Sequence, residues 1–133
     1  MRKEHKIYCV KCKTIDGPFG SPYTTIKGRG YYFCKPCGNK RKKDHYDSVK
    51  AAVFDYYGNK CACCGELNSL FLTIDHINND GSLHREKSGQ KVGGVRLYCY
   101  IKANNFPNTY QILCMNCNFG KRMNNGVCPH LTV

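Results

Sequence analysis

The chain predicts a small α+β protein held together by metal more than by a large apolar core. Three observations carry this expectation. Four cysteine pairs, Cys9/Cys12, Cys34/Cys37, Cys61/Cys64 and Cys114/Cys117, share the spacing of thiolate metal knuckles. Short apolar alternations alternate with helical periodicity along the chain. At 133 residues the chain is one ordinary domain or two very small ones, and domains that small bury too little surface to offset chain entropy unaided.

Eleven cysteines fit either a secreted disulfide framework or structural metal. Met1 to Lys6 is charged with no apolar run behind it, so no secretory signal is expected within this numbering, and no run approaches membrane-spanning length. A reducing cytoplasm then favours zinc. The formal charge is +12, and eight zinc-bound thiolates with two Zn²⁺ ions bring it to about +8. So basic a surface, with ten tyrosines among its lysines and arginines, points to a nucleic-acid partner and away from a membrane, because no basic amphipathic helix is present.

Residues 1–43 form a zinc-ribbon-like unit. Its first pair is Cys9-x-x-Cys12; a hairpin follows, Tyr23–Ile26 and Tyr31–Phe33 around Lys27-Gly28-Arg29-Gly30; Cys34-x-x-Cys37 closes it. Gly38 and Gly65, each directly after a second thiolate, suit tight turns. The basic turn (Lys27, Arg29) and the run Lys40 to Lys43 are nucleic-acid contacts or solvated linker. Residues 44–60 hold a linking amphipathic helix, with Val49, Ala52, Val53 and Tyr56 on one face, an Asp44 or Asp47 cap and a Gly58-Asn59 stop.

Residues 61–133 form the second unit. Leu70 to Ile74 alternates as a half-buried strand and runs into Asp75-His76. A long connection follows, about residues 77–108, in which Val95 to Ile101 reads as either helix or strand. Tyr110 to Leu113 is the second strand, and Asn116 to Met123 a short helix ended by Asn124-Asn125-Gly126. No internal repeat stands out beyond the recurring cysteine pairs.

Phosphodiester hydrolysis needs a base to activate water and a cation to offset charge on the phosphorane and leaving oxygen. His76 supplies an imidazole that titrates near neutrality. Asp75 and Asn118 supply oxygens suited to a hard divalent ion. Cysteine pairs bracket both halves, so zinc on Cys61, Cys64, Cys114 and Cys117 would bring strand and helix into register.

The order Cys-x-x-Cys, strand, Asp75-His76, long loop, strand, Cys114-x-x-Cys117-Asn118-x-x-Lys121 resembles the HNH endonucleases of the ββα-metal (His-Me finger) fold, especially those of phages and homing elements. The resemblance covers about residues 48 to 130. It implies a metal-dependent endodeoxyribonuclease in which His76 is general base, Asp75 and Asn118 hold one Mg²⁺ or Mn²⁺, and Cys61, Cys64, Cys114 and Cys117 hold structural zinc; outside the resemblance, the spacing of Cys9, Cys12, Cys34 and Cys37 predicts a second structural zinc. Lys121 would face the phosphates, joined by Arg122 and, from the long loop, His84 and Arg85. Duplex DNA is the implied substrate, nicked or cut on both strands, the latter by a homodimer or in two visits. The setting is the cytoplasm of a bacterial or phage-infected host cell, with phage or mobile-element proteins as partners.

One departure concerns the family's central asparagine, expected nine residues before Asn118. Thr109 stands there, and Asn108 fits with a one-residue shift. Cys63 sits between two ligands and could exchange for one; Cys128 with His130 makes a further metal site or, like Cys99, stays unligated. A non-catalytic zinc protein that binds nucleic acid, and an adaptor built from two zinc modules, are the rival readings.

Overall fold

A computed structural model describes residues 8–15, 17–19, 23–24, 30–81 and 93–131. The elements are β1 (Tyr23–Thr24), β2 (Gly30–Tyr31), α1 (Lys35–Tyr57), β3 (Leu72–His76), α2 (Val95–Ala103), β4 (Tyr110–Cys114), α3 (Met115–Met123) and a closing 3-10 turn (Pro129–Leu131). The fold is small α+β with two antiparallel strand pairs, β1 with β2 and β3 with β4. Its contacts divide into Met1–Asp47 and Ser48–Val133. Residues 35–47 of α1 belong to the first unit and 48–57 to the second. Among the described residues no helix is long and apolar enough to cross a membrane.

α1 begins at Lys35 and not at Asp44. The basic run Lys40 to Lys43 is therefore helical, and lysines are good helix formers when they face water. Lys40 pairs with Asp44 at 3.0 Å and Lys43 with Asp47 at 2.6 Å, one turn on. Asp44 and Asp47, expected as caps, are thus acidic partners in mid-helix. The first unit is not a ribbon with two hairpin knuckles either, because Cys34 precedes the helix and Cys37 lies in its first turn. Gly38 is a helical residue donating to the Cys34 carbonyl, while Gly65 takes the expected left-handed turn at φ 79°.

In the second unit β3 starts two residues later than its apolar run suggests. Leu70 and Phe71 are exposed, and Asp75 and His76 lie inside the strand. Register pairs Asp75 with Gln111 and His76 with Tyr110. The ambiguous segment after Gly94 is a helix, α2, whose Tyr98 and Ile101 are buried. Val49, Val53, Phe54, Leu72, Ile101, Ile112 and Leu113 supply the apolar core. Phe54 meets Tyr98 edge to face, Tyr56 stacks on Phe106, and the Tyr57 hydroxyl donates to the Pro107 carbonyl at 2.6 Å.

α3 ends in the turn Asn124-Asn125-Gly126, where Asn125 and Gly126 have φ of 49° and 88° and the Gly126 N–H donates to the Lys121 carbonyl. Gly126 is needed twice over, since a Cβ there would also collide with the Asn79 side-chain amide. Gly126→Ala is expected to destabilise by roughly 1–2 kcal/mol from backbone conformation alone, and by more from the collision. Urea unfolding of Gly126→Ala with and without Asn79→Ala separates the two, because only the collision is relieved in the double variant.

Candidate functional site

Both units build the same thiolate frame. In the first, the Cys9 N–H donates to Thr14 O, Lys13 N–H to Cys9 O, and Val10 N–H to Tyr32 O. In the second, Cys61 N–H donates to Glu66 O, Gly65 N–H to Cys61 O, and Ala62 N–H to Ile112 O. These bonds match position for position. The residue after each knuckle, Lys13 or Gly65, has positive φ. Tyr32 and Ile112 each stand two residues before the cysteine that precedes a helix. The repeat thus runs well past the cysteine pairs, and it is invisible in the sequence because backbone bonds carry it.

In each unit four sulfurs lie within 4.8 Å of one another: Cys9, Cys12, Cys34, Cys37 and Cys61, Cys64, Cys114, Cys117. Cys12 and Cys34 sulfurs are 3.6 Å apart, Cys64 and Cys114 sulfurs 3.7 Å. A tetrahedral zinc with Zn–S near 2.3 Å has S···S edges of about 3.8 Å, so both clusters have the dimensions and chemistry to hold zinc. Burial pushes the Cys61 thiol up, but N–H groups of Cys64, Cys114 and Cys63 outweigh it and bring its pKa down to about 6. Cys9 likewise sits at about 6, burial being outweighed by N–H groups of Cys12, Cys34 and Lys11. Cys114 caps α3, its sulfur accepting from the Cys117 N–H at 3.4 Å. Burial and the neighbouring Cys114 sulfur push the Cys117 thiol up.

At the end of β3 the two candidate residues point to opposite faces, as successive strand residues do. Asp75 is buried, and its Oδ2 accepts from Lys121 Nζ at 2.7 Å and from Gln111 Nε2 at 2.8 Å. Lys121 also donates to the carbonyls of His76 and Ile77, at 2.8 and 3.0 Å. Lys121 was expected to face phosphates; at 6% exposure it is instead turned inward. The reason is electrostatic: a buried carboxylate needs a partner, and α3 brings the ammonium to it. Asn118 is half-buried on α3, one turn before Lys121.

His76 rests against Tyr110, ring centroids 4.7 Å apart. Burial pushes the Tyr110 phenol up to about 12, so it stays protonated. A Cβ on Gly81 would come within 3.0 Å of His76 Nδ1, so the glycine lets the chain pass close over the ring. The segment beyond His76 is tied by Ile77 N–H to Thr109 O at 2.9 Å and by Lys121. Backbone at Thr109 thus steadies this loop, where a side-chain amide was expected, and Asn108 is exposed in the preceding turn. Arg122 is exposed on α3. Lys27, Arg29, His84 and Arg85 lie outside the described residues.

A third cluster was not assembled from the sequence. Cys63, Cys117, Cys128 and His130 bring three sulfurs and an imidazole nitrogen within 4.8 Å of one another. The Cys-Pro-His signal near residue 130 was legible, but its partners at 63 and 117 were not. Cys99, on α2, belongs to none of the three clusters.

Comparison of the chain with models of known protein families, with curated proteins and with solved structures finds no match.

Lys121→Ala is expected to cost about 3–5 kcal/mol, since it strands Asp75 as an uncompensated buried charge. Asp75→Leu combined with Lys121→Met should recover most of that loss in denaturant unfolding. A Lys121→Ala protein as stable as the parent would return the residue to the surface role.

Proposed function

We propose that this chain is a metal-dependent DNA endonuclease that hydrolyses phosphodiester bonds with His76 as general base, in the ββα-metal arrangement of the HNH nucleases. The observation that carries this reading is the difference between the two units. With the cysteines before the helices, Cys34 and Cys114, taken as equivalent, strand register sets Tyr23 opposite Tyr31 and Thr24 opposite Gly30, where the second unit has Asp75 opposite Gln111 and His76 opposite Tyr110. Gly38 occupies the place of Asn118. The frame folds without an Asp-His-Asn set, so the set in the second unit is available for chemistry.

In this reading zinc on each four-cysteine cluster is structural and fixes a helix start against a strand end. His76, its ring oriented by Tyr110 and overlain by Gly81, takes a proton from water. The water oxygen bonds to phosphorus as the bond to the leaving oxygen breaks, and that oxygen takes its proton from solvent. A divalent ion, Mg²⁺ or Mn²⁺, bound through Asp75 and Asn118 would offset charge on the phosphate. The donor set fits such an ion in part: Asp75 and Asn118 offer hard oxygens, but Oδ2 of Asp75 is already held by Lys121 and Gln111. Weak, exchangeable binding is the expectation.

The basic chain suits duplex DNA, bound mainly through its backbone, and Arg122 is the exposed contact on α3. Cutting both strands with one pocket calls for a homodimer or two visits. By resemblance the setting is a bacterial or phage-infected cytoplasm with phage or mobile-element partners. A second reading, a non-catalytic zinc protein that binds nucleic acid, is favoured by one observation: Asp75 is neutralised as a purely structural carboxylate would be.

A plasmid-nicking assay with Mg²⁺ or Mn²⁺ decides between them. His76→Ala is expected to lower nicking by about 10²–10⁴-fold with zinc content and DNA affinity unchanged, and a mild chelator should stop nicking reversibly before zinc leaves. Salt-sensitive DNA binding with no nicking by the parent protein would establish the second reading.

A further inference from the structure

We infer that the second unit holds two zinc ions, the additional one on Cys63, Cys117, Cys128 and His130, with the Cys117 thiolate bridging the pair. The inference rests on the reading that the Cys61, Cys64, Cys114 and Cys117 cluster binds zinc.

In a tetrahedral zinc site a sulfur and an imidazole nitrogen stand about 3.6 Å apart, given Zn–S near 2.3 Å and Zn–N near 2.0–2.1 Å. His130 Nδ1 lies 3.3 Å from Cys117 Sγ and 3.8 Å from Cys128 Sγ, bracketing that edge. Cys63 completes a set with three sulfurs and one nitrogen, a known structural zinc composition.

The packing around this set holds its ligands in place. Cys117 and Cys128 are almost wholly buried. Pro129 lies on Gly120 of α3, where a Cβ would meet its Cδ at 2.9 Å. The Leu131 N–H donates to the Cys128 carbonyl at 2.9 Å, closing the 3-10 turn that presents His130. A cavity of about 260 Å³ opens beside Cys63 and Cys128 and offers an entry path.

Counting from the first cysteine of each knuckle, Lys11 stands in the first unit where Cys63 stands in the second. The knuckle therefore closes without a thiol there. Cys63, Cys128 and His130 are additions to a frame that is complete without them, and they converge on one of its ligands. Charge permits the sharing: one more Zn²⁺ with two more thiolates and a neutral imidazole leaves the net charge of the buried cluster unchanged.

Native mass spectrometry of the full zinc-loaded chain, with elemental analysis, tests this. Three zinc ions per chain are expected, falling to two in Cys63→Ser and in His130→Ala with the fold retained by circular dichroism. Gly120→Ala, which leaves every ligand in place but displaces Pro129, should weaken retention of the same ion. In the cadmium-substituted protein, two cadmium resonances should be coupled to each other through the Cys117 sulfur. Two zinc ions in the parent and in Cys63→Ser alike would overturn the inference, as would a parent mass lower by the two hydrogens of a disulfide. Three ions without cadmium coupling would overturn the bridge. Loss of both ions of the second unit in the parent, with the first unit's ion kept, would instead refute the underlying reading of the four-cysteine cluster.

Discussion

The structure depends on a helix start fixed against a strand end by a pair of cysteines. Cys34 ends the segment after β2 and Cys37 lies in the first turn of α1; Cys114 ends β4 and Cys117 lies in the first turn of α3. β4 runs directly into α3, and only residues 32–34 separate β2 from α1, so the chain turns where the sulfurs are. The knuckle across from each pair supplies the other two sulfurs and donates a backbone N–H to the strand that leads in. Each set of four sulfurs has the dimensions to hold a zinc cross-link, which would do here what a large core does elsewhere.

A second interior constraint, the ammonium of Lys121, runs from α3 back to β3. It neutralises Asp75 and ties the carbonyls of His76 and Ile77. Burying an ion pair is expensive, and it is tolerated where geometry satisfies the remaining donors. Here three oxygens receive the three donors of one ammonium, and the backbone carbonyls of His76 and Ile77 are fixed as a result. The same contact weakens the case for Asp75 as a strong ligand to a divalent ion and strengthens the case for a positioned His76.

Much of this was legible in the sequence, and the failures have physical causes. Cysteine spacing identified both four-sulfur clusters, because the spacing is itself the geometry of a knuckle. Tyr110, Met123 and Gly126 bounded their elements as expected. The start of α1 was missed because Lys40 to Lys43 reads as a solvated charge run, while its helix is supported by pairs with Asp44 and Asp47. The apolar run begins two residues before β3 because Leu70 and Phe71 are apolar yet exposed. Lys121 was assigned to phosphate because a lysine after Asn118 carries no sign in sequence of the buried carboxylate 46 residues away. The third cluster needed Cys63, Cys117 and Cys128 to meet, and only tertiary structure brings those together.

The two constraints meet in one turn of α3. Cys117 is a sulfur ligand candidate, Asn118 follows it directly, and Lys121 comes one turn later. On the strand side, Asp75 and His76 pair with Gln111 and Tyr110, the residues that lead into Cys114. No residue of the candidate pocket is therefore more than about a helical turn or a strand pairing from the thiolate frame. The four-sulfur cluster and the strand residues Asp75 and His76 are joined through β4, so what holds Cys114 in place also bears on where the imidazole stands. The first unit keeps the same frame with Tyr23, Thr24 and Gly38 in the corresponding places, so the frame does not depend on Asp75, His76 or Asn118.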